Sequence, residues 1–169
     1  DYVSTEEDLP LTAFTSRHSS ATEAVGYGKG MMFFHMLKTE LGEETFQKAL
    51  RQFYRDYRFA RADYDALQTT FEAAAGARLA TEFEQWVTRA GAPQLRLGKV
   101  ERRPRGDGYR ITADLEQIQD GAPYVLGIPV AVVVEGEEAA RELRIVMDRK
   151  QQQFEWSFSR RPLQLTVDS

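Results

Sequence analysis

The hydrophobic period of this 169-residue chain changes once, close to Pro93, and that change divides the sequence into two regions. Before Pro93, apolar residues recur every three or four positions, which is the spacing of amphipathic helices. After Pro93 they alternate with polar residues, which is the spacing of half-buried strands. Helices and strands segregated in this way indicate an α+β protein, with a helical domain at residues 1–92 and a β domain at residues 93–169.

The first region is expected to form a bundle of about four helices. Asp63 is a suitable N-cap, and Gly42 and Gly76 follow helical patterns at positions where glycine commonly ends a helix. The expected helices cover approximately residues 27–40, 43–57, 64–75 and 79–89. Residues 1–20 are polar and show no sustained period, so they are interpreted as an extended arm.

The second region is expected to form six short strands separated by turns, and this pattern predicts an immunoglobulin-like β-sandwich. Gly106-Asp107-Gly108 is a clear turn signal between the first two strands. Pro129 lies early in the third strand, which suggests a sheet edge or the start of a strand. The expected strands have their first apolar residues at Leu95, Tyr109, Ile128, Leu143, Phe154 and Leu163.

Composition excludes several classes of function. The net charge of −4 and the scattered basic residues argue against nucleic acid as a partner. The chain has no cysteine and two histidines, His18 and His35, so it offers neither thiolate ligands nor a histidine-rich metal site. No apolar run approaches the roughly 20 residues that cross a bilayer, and no transmembrane segment is expected.

The sequence from Ala24 to Leu37 contains the one residue that hints at chemistry, Tyr27, which lies between two glycines at the start of an apolar helix. Gly26, Gly28 and Gly30 permit either a close backbone approach or a positive φ. The residues Tyr27, Met31, Phe34, Leu37 and Leu41 are expected to share one helical face, and the helix is expected at the centre of its domain.

Spacing alone favours packing roles for the residues that could carry chemistry. On this basis Tyr27 is a core aromatic residue with its hydroxyl at a boundary, and His35 is a core histidine. The basic cluster of Arg102, Arg103 and Arg105 is interpreted as a solvated hairpin tip rather than a phosphate site. Phosphate-binding, dinucleotide-binding, serine-hydrolase and zinc-helix motifs are missing from the sequence.

Five short motifs, in order, resemble the aminopeptidase N family of zinc metallopeptidases, the gluzincin aminopeptidases. That family has Tyr-x-Lys-Gly, then Leu-Gly-x-x-x-Phe, a Phe-x-x-Trp near the end of its helical region and a Gly-x-Pro that opens a β-sandwich. The matching segments are Tyr27-Gly28-Lys29-Gly30, Leu41-Gly42-Glu43-Glu44-Thr45-Phe46, Phe71-Glu72, Phe83-Glu84-Gln85-Trp86 and Gly91-Ala92-Pro93.

The resemblance implies a catalytic role for Tyr27 in an enzyme that removes N-terminal residues from peptides. In the family, zinc polarises the scissile carbonyl, a glutamate activates water, and the tyrosine hydroxyl donates to the oxyanion of the tetrahedral intermediate. The zinc ligands lie upstream of the tyrosine in the family and are not in this sequence. The chain is therefore expected to be a piece of a zinc enzyme that needs the upstream zinc-binding part, and to bind no zinc and hydrolyse no peptide alone.

A second hypothesis comes from a different class of function. The chain could be a noncatalytic helical and β-sandwich module that binds a protein partner or serves as a spacer. A His-Glu-x-x-His motif encoded upstream would favour the enzyme, and its absence would favour the module.

Overall fold

The computed structural model describes residues 9–14 and 20–167, and the chain divides into two compact units between Gly91 and Ala92. Helices occupy the first unit and antiparallel strands the second. The expected α+β class, with segregated helical and β regions, is confirmed. None of the helices in residues 20–88 combines the length and the apolar character needed to cross a membrane.

The described part of the first unit contains four helical stretches and a short 3-10 helix at Leu11–Ala13. The first stretch consists of α1 (Ser20–Glu23), a π-helical segment (Ala24–Lys29, the first π segment) and α2 (Gly30–Leu41). The others are α3 (Glu43–Tyr57), α4 (Tyr64–Ala75), and α5 (Ala80–Phe83) with a second π segment (Glu84–Thr88). Most of the expected arm at residues 1–20 lies outside the described residues, but Leu11 belongs to the helical core.

The helix ends follow the local signals in the sequence. Asp63 Oδ1 accepts a hydrogen bond from the Ala66 amide at 2.9 Å and so caps α4. Gly42 and Gly76 have φ values of 77° and 64°, which favour glycine after a helix. The first helical stretch, in contrast, begins at Ser20 rather than near Tyr27, because the three glycines before Met31 adopt helical backbone and do not interrupt it.

The second unit is a sandwich of two three-stranded antiparallel sheets, ordered β1-β2-β5 and β4-β3-β6. The strands are β1 (Leu95–Arg105), β2 (Gly108–Gln117), β3 (Leu126–Val134), β4 (Arg141–Met147), β5 (Gln151–Phe158) and β6 (Pro162–Val167). Alternate residues from both sheets, such as Ile111, Val132 and Met147, form one core. β3 is the central strand of its sheet, and among the described residues its pairing with β6 runs from Val130 to Val134, whereas Pro129 pairs with Arg144 of β4.

Buried Gln117 holds the loop between β2 and β3 against the sandwich. Its amide nitrogen donates to the Tyr124 carbonyl and its amide oxygen accepts from the Tyr124 nitrogen, both at 2.8 Å. Tyr124 is itself fully buried. Because an unpaired buried polar group is costly, these two bonds fix the loop in one conformation.

Glu72 on α4 holds the connection to α5. Its Oε1 accepts from the Leu79 amide at 2.8 Å and from Gln68 Nε2 at 3.0 Å. The Leu79 amide lowers the pKa of the Glu72 carboxyl, with smaller contributions in the same direction from Gln68 and Arg78. The Leu79 amide is one of the unpaired donors at a helix start, so the Glu72 carboxylate satisfies it.

We therefore expect Glu72→Gln to lower the free energy of unfolding of the chain near pH 7. The folded-state pKa of Glu72 is below its ordinary value of 4.5, so the carboxylate stabilises the fold above that value. This stabilisation is lost as the pH falls through the folded-state pKa of Glu72. The free energies of unfolding of the wild type and of Glu72→Gln should therefore become similar at low pH. Urea unfolding at several pH values tests this, with exposed Glu84→Gln as the control. A difference independent of pH would contradict it.

Candidate active site around Tyr27

Tyr27 lies in the first π segment, and the residue is 57% exposed. It is therefore outside the core that the described residues form, contrary to the interpretation from spacing alone. π-helical turns are rare and occur often at functional sites. An exposed phenol on a hydrogen-bonded helical turn is a donor with a defined main-chain position, which is a suitable arrangement for binding an oxygen atom of a ligand.

Phe14 packs against the first π segment and contacts the ring of Tyr27. The two ring centroids are 5.8 Å apart at an interplanar angle of 69°, an edge-to-face arrangement. The same Phe14 ring lies over Gly26, where an added Cβ would be 2.4 Å from a ring carbon. Glycine at position 26 therefore allows the close approach that places Phe14 beside Tyr27.

The other two glycines do not have this role. Among the described residues, and apart from the backbone of its own helix, a Cβ at Gly28 or Gly30 would meet no atom within 4 Å, and neither residue has a positive φ. The expectation of a close backbone approach is thus correct at Gly26, whereas a positive φ occurs at none of the three. The main-chain conformation at Gly28 and Gly30 is one that residues other than glycine also adopt.

Lys29 ties the first π segment to the end of the second. Its ammonium donates to the main-chain carbonyl of Arg89 at 2.6 Å, and the Lys29 side chain is half-buried. Arg89 has an extended backbone, with φ −88° and ψ 137°, so the chain leaves the second π segment there. Carbonyls at a helix end lack helical partners, and a lysine ammonium satisfies this one.

The exposed face of the helix differs from the expected one. Phe33 and Leu37 are buried, whereas Met31 and Met32 are 68% and 51% exposed, close to Tyr27 along the chain. On the predicted helical face, Met31, Phe34 and Leu37 follow one another at intervals of three residues. An interval of three residues falls about 60° short of a full turn of an α-helix, so the two intervals together separate Met31 from Leu37 by about 120°. Met31 therefore lies well away from the buried side, and an apolar surface beside Tyr27 remains uncovered by the described residues.

The histidines do not form a metal site within the described chain. His35 is exposed rather than part of the core, and His18 lies outside the described residues. Across residues 9–14 and 20–167, no three His, Cys, Asp or Glu side chains are grouped so that they could hold a metal ion.

The basic hairpin tip is exposed, and its charges are largely paired. Arg105 and Arg110 contact Glu155 at 3.2 and 3.4 Å, and Arg103 contacts Glu101 at 2.8 Å. A cavity of about 250 Å³ on this sheet is lined by four of these paired groups together with Thr112 and Gln153. Exposed ion pairs of this kind contribute little to stability, and the arrangement supports the interpretation of a solvated surface.

Residues 9–86 match the family model described as the peptidase family M1 domain. Tricorn protease-interacting factor F2 of Thermoplasma volcanium is 28% identical over 99 residues, which are 59% of this chain and 12% of that protein. The puromycin-sensitive aminopeptidase of Caenorhabditis elegans is 26% identical over 137 residues, which are 78% of this chain and 14% of that protein. Over residues 9–86 this chain is similar to the M1 peptidases. It spans about one eighth of the length of these relatives.

The fold agrees with the M1 relationship. A crystal structure of Legionella pneumophila aminopeptidase A in complex with aspartic acid superposes with a TM-score of 0.67 at 18% identity. The match covers 95% of this chain and 19% of that chain. Because both the helical and the β regions are included, the order of a helical unit followed by a sandwich is shared with that structure.

The M1 relationship implies zinc in the complete enzyme, but the described residues do not fit a zinc ion. The helical unit does bring together two motifs that begin 56 positions apart in the sequence, at Tyr27 and at Phe83. Lys29 of the first motif reaches the end of the π segment that contains the second motif's Trp86. Phe14 was missed, because it lies in the stretch interpreted as an arm and has no periodic neighbours.

A pair of glycine substitutions tests the contact between Phe14 and the first π segment. We expect Gly26→Ala to lower the free energy of unfolding by about 1–3 kcal/mol, because the new methyl group overlaps the Phe14 ring. Gly30→Ala is the matched control. Its helical backbone and open surroundings predict a gain of about 0.5–1 kcal/mol. Urea unfolding of the 169-residue chain measures both, and equal effects of the two substitutions would contradict the contact.

Proposed function

We propose that this chain is part of an M1-type zinc aminopeptidase that removes N-terminal residues from peptides, and that it contributes the Tyr27 hydroxyl. The observation that carries the proposal is that Tyr27, the first residue of the Tyr-x-Lys-Gly motif, is exposed on a π-helical turn. The M1 relationship of the surrounding helices supports it.

The proposed role of Tyr27 is to donate a hydrogen bond to the oxygen that becomes negative when water attacks the peptide carbonyl. A phenol keeps its proton near neutral pH and so remains a donor throughout the reaction. A donor placed where charge develops lowers the barrier more than it strengthens substrate binding. Tyr27 would therefore act on kcat, and the apolar surface at Met31 and Met32 would remain available to other parts of the enzyme.

Zinc would supply the polarisation of the carbonyl and the activation of water when bound to the complete enzyme. We propose that its ligands come from a part of the protein upstream of this chain. The chain spans about one eighth of its M1 relatives, and no metal-ligand group lies in residues 9–14 and 20–167. The chain alone would then be inactive, and it would bind peptides only as part of the whole protein.

In the full-length protein that contains this chain, Tyr27→Phe should lower kcat by about 10²- to 10³-fold with little change in KM. The ring and its Phe14 contact remain, so folding should be unaffected. Exposed Tyr54→Phe on α3 is the matched control and should leave kcat unchanged. A normal kcat in Tyr27→Phe would reject the catalytic role and favour a noncatalytic module.

The 169-residue chain alone should show neither tight zinc binding nor aminopeptidase activity. Calorimetric titration with zinc at pH 7.5 is expected to give no tight site, and an alanyl anilide substrate should be turned over no faster than in buffer with zinc. The full-length protein is the positive control. One stoichiometric zinc site, or activity from the chain alone, would overturn the proposed division of the site between two parts of the protein.

A further inference from the structure

The Lys29–Arg89 hydrogen bond lies on the opposite side of the helix from Tyr27. Residues two positions apart in a helix do not face the same way. The exposed Tyr27 and the half-buried Lys29 follow that rule, since one is directed outward and the other reaches a carbonyl 60 residues further along the chain. The Lys29–Arg89 hydrogen bond on the inner side restrains rotation of the first π segment about its axis. Because Tyr27 lies on the outer side of the same segment, such a rotation would move its hydroxyl.

The bond is also of a strong kind. An ammonium donates to a carbonyl oxygen over 2.6 Å, and hydrogen bonds with one charged partner are about twice as strong as neutral ones. The Arg89 carbonyl lies where the second π segment ends and extended backbone begins. Lys29 therefore adds a direct hydrogen bond between the first π segment and the end of the second.

Phe14 restrains the Tyr27 ring itself. The 5.8 Å edge-to-face contact is made by a residue from a different segment of the chain, and Gly26 lets the Phe14 ring lie directly on the helix. Lys29 thus holds the main chain on the inner side, and Phe14 holds the aromatic ring on the outer side.

Resting on the role of Tyr27 proposed above, we infer that Lys29 and Phe14 are positioning residues for the Tyr27 hydroxyl. Neither donates to the reacting atoms. Their effect passes through the phenol, because a donor displaced by about 1 Å loses on the order of 10²-fold in rate even when the substrate still binds.

A double-mutant cycle in the full-length enzyme tests this inference, using wild type, Lys29→Met, Tyr27→Phe and the double variant. Methionine keeps an unbranched side chain of similar length and removes the donor. Lys29→Met should lower kcat by about 10- to 10²-fold with little change in KM when Tyr27 is present. In the Tyr27→Phe background the same substitution should change kcat less than twofold, because there is no hydroxyl left to misplace.

Two controls accompany the cycle. Lys48→Met changes an exposed lysine on α3 and should leave kcat unchanged in both backgrounds. Lys29→Arg keeps a charged donor and should restore part of the lost kcat. Thermal unfolding of each variant shows whether it is folded, and if Lys29→Met does not fold, Phe14→Leu takes its place in the cycle with the same expectation.

The two possible failures are distinguishable. A normal kcat in Tyr27→Phe rejects the proposed function of Tyr27 itself. A reduced kcat in Tyr27→Phe, combined with a normal kcat in the folded Lys29 and Phe14 variants, rejects the positioning role alone. An equal loss in both tyrosine backgrounds also rejects it, since the effect would then not pass through the hydroxyl.

Discussion

A series of aromatic contacts holds the helical unit together, and the position of Tyr27 depends on it. Phe33 of α2 meets Phe83 of α5 edge to face, with centroids 4.9 Å apart. On its other side Phe33 adjoins Phe34, which meets Phe46 of α3, and Phe46 in turn meets Phe71 of α4. Edge-to-face pairs contribute about 0.5–1.5 kcal/mol each beyond their buried area. The contacts fix which side of α2 is buried, and the opposite side carries Met31 and continues into Tyr27.

The parts of the fold that could be predicted from the sequence are those that depend on neighbours within a few residues. Asp63 caps α4 because its carboxylate reaches an amide three positions on, and Gly42 and Gly76 end helices because of their own φ values. The alternation in β2 gives buried Ile111, Ala113 and Leu115. The single change of period near Pro93 sufficed to place the transition from helices to strands, since both patterns are set by the backbone geometry of each element.

What the sequence could not supply depends on residues far apart in the chain. The π segments require tertiary contacts that hold a wider turn, and no local pattern distinguishes them from α-helix. The exposure of His35 and Met31 follows from which side of α2 meets Phe83, not from their own spacing. Phe14 has no periodic signal, although its ring occupies the space that a side chain at position 26 would need. Tyr27 itself could be proposed as catalytic only through the family resemblance, because spacing alone favoured a packing role.

The Tyr-x-Lys-Gly motif is held in place at two of its residues, because Tyr27 contacts Phe14 and Lys29 donates a hydrogen bond to Arg89. Tyr27 presents an exposed phenol, and Lys29 donates a hydrogen bond that connects the same turn to the end of the helix containing the second motif. A Cβ at Gly28, between them, would meet no atom of the described residues within 4 Å outside its own helix backbone, so an alanine at that position would leave both contacts in place. The hydrogen bond from Lys29 ends on the Arg89 carbonyl, which lies just after the second π segment, at a helix end where carbonyls lack helical partners. One charged hydrogen bond therefore connects the turn that contains Tyr27 to the end of the helix that contains the Phe-x-x-Trp motif.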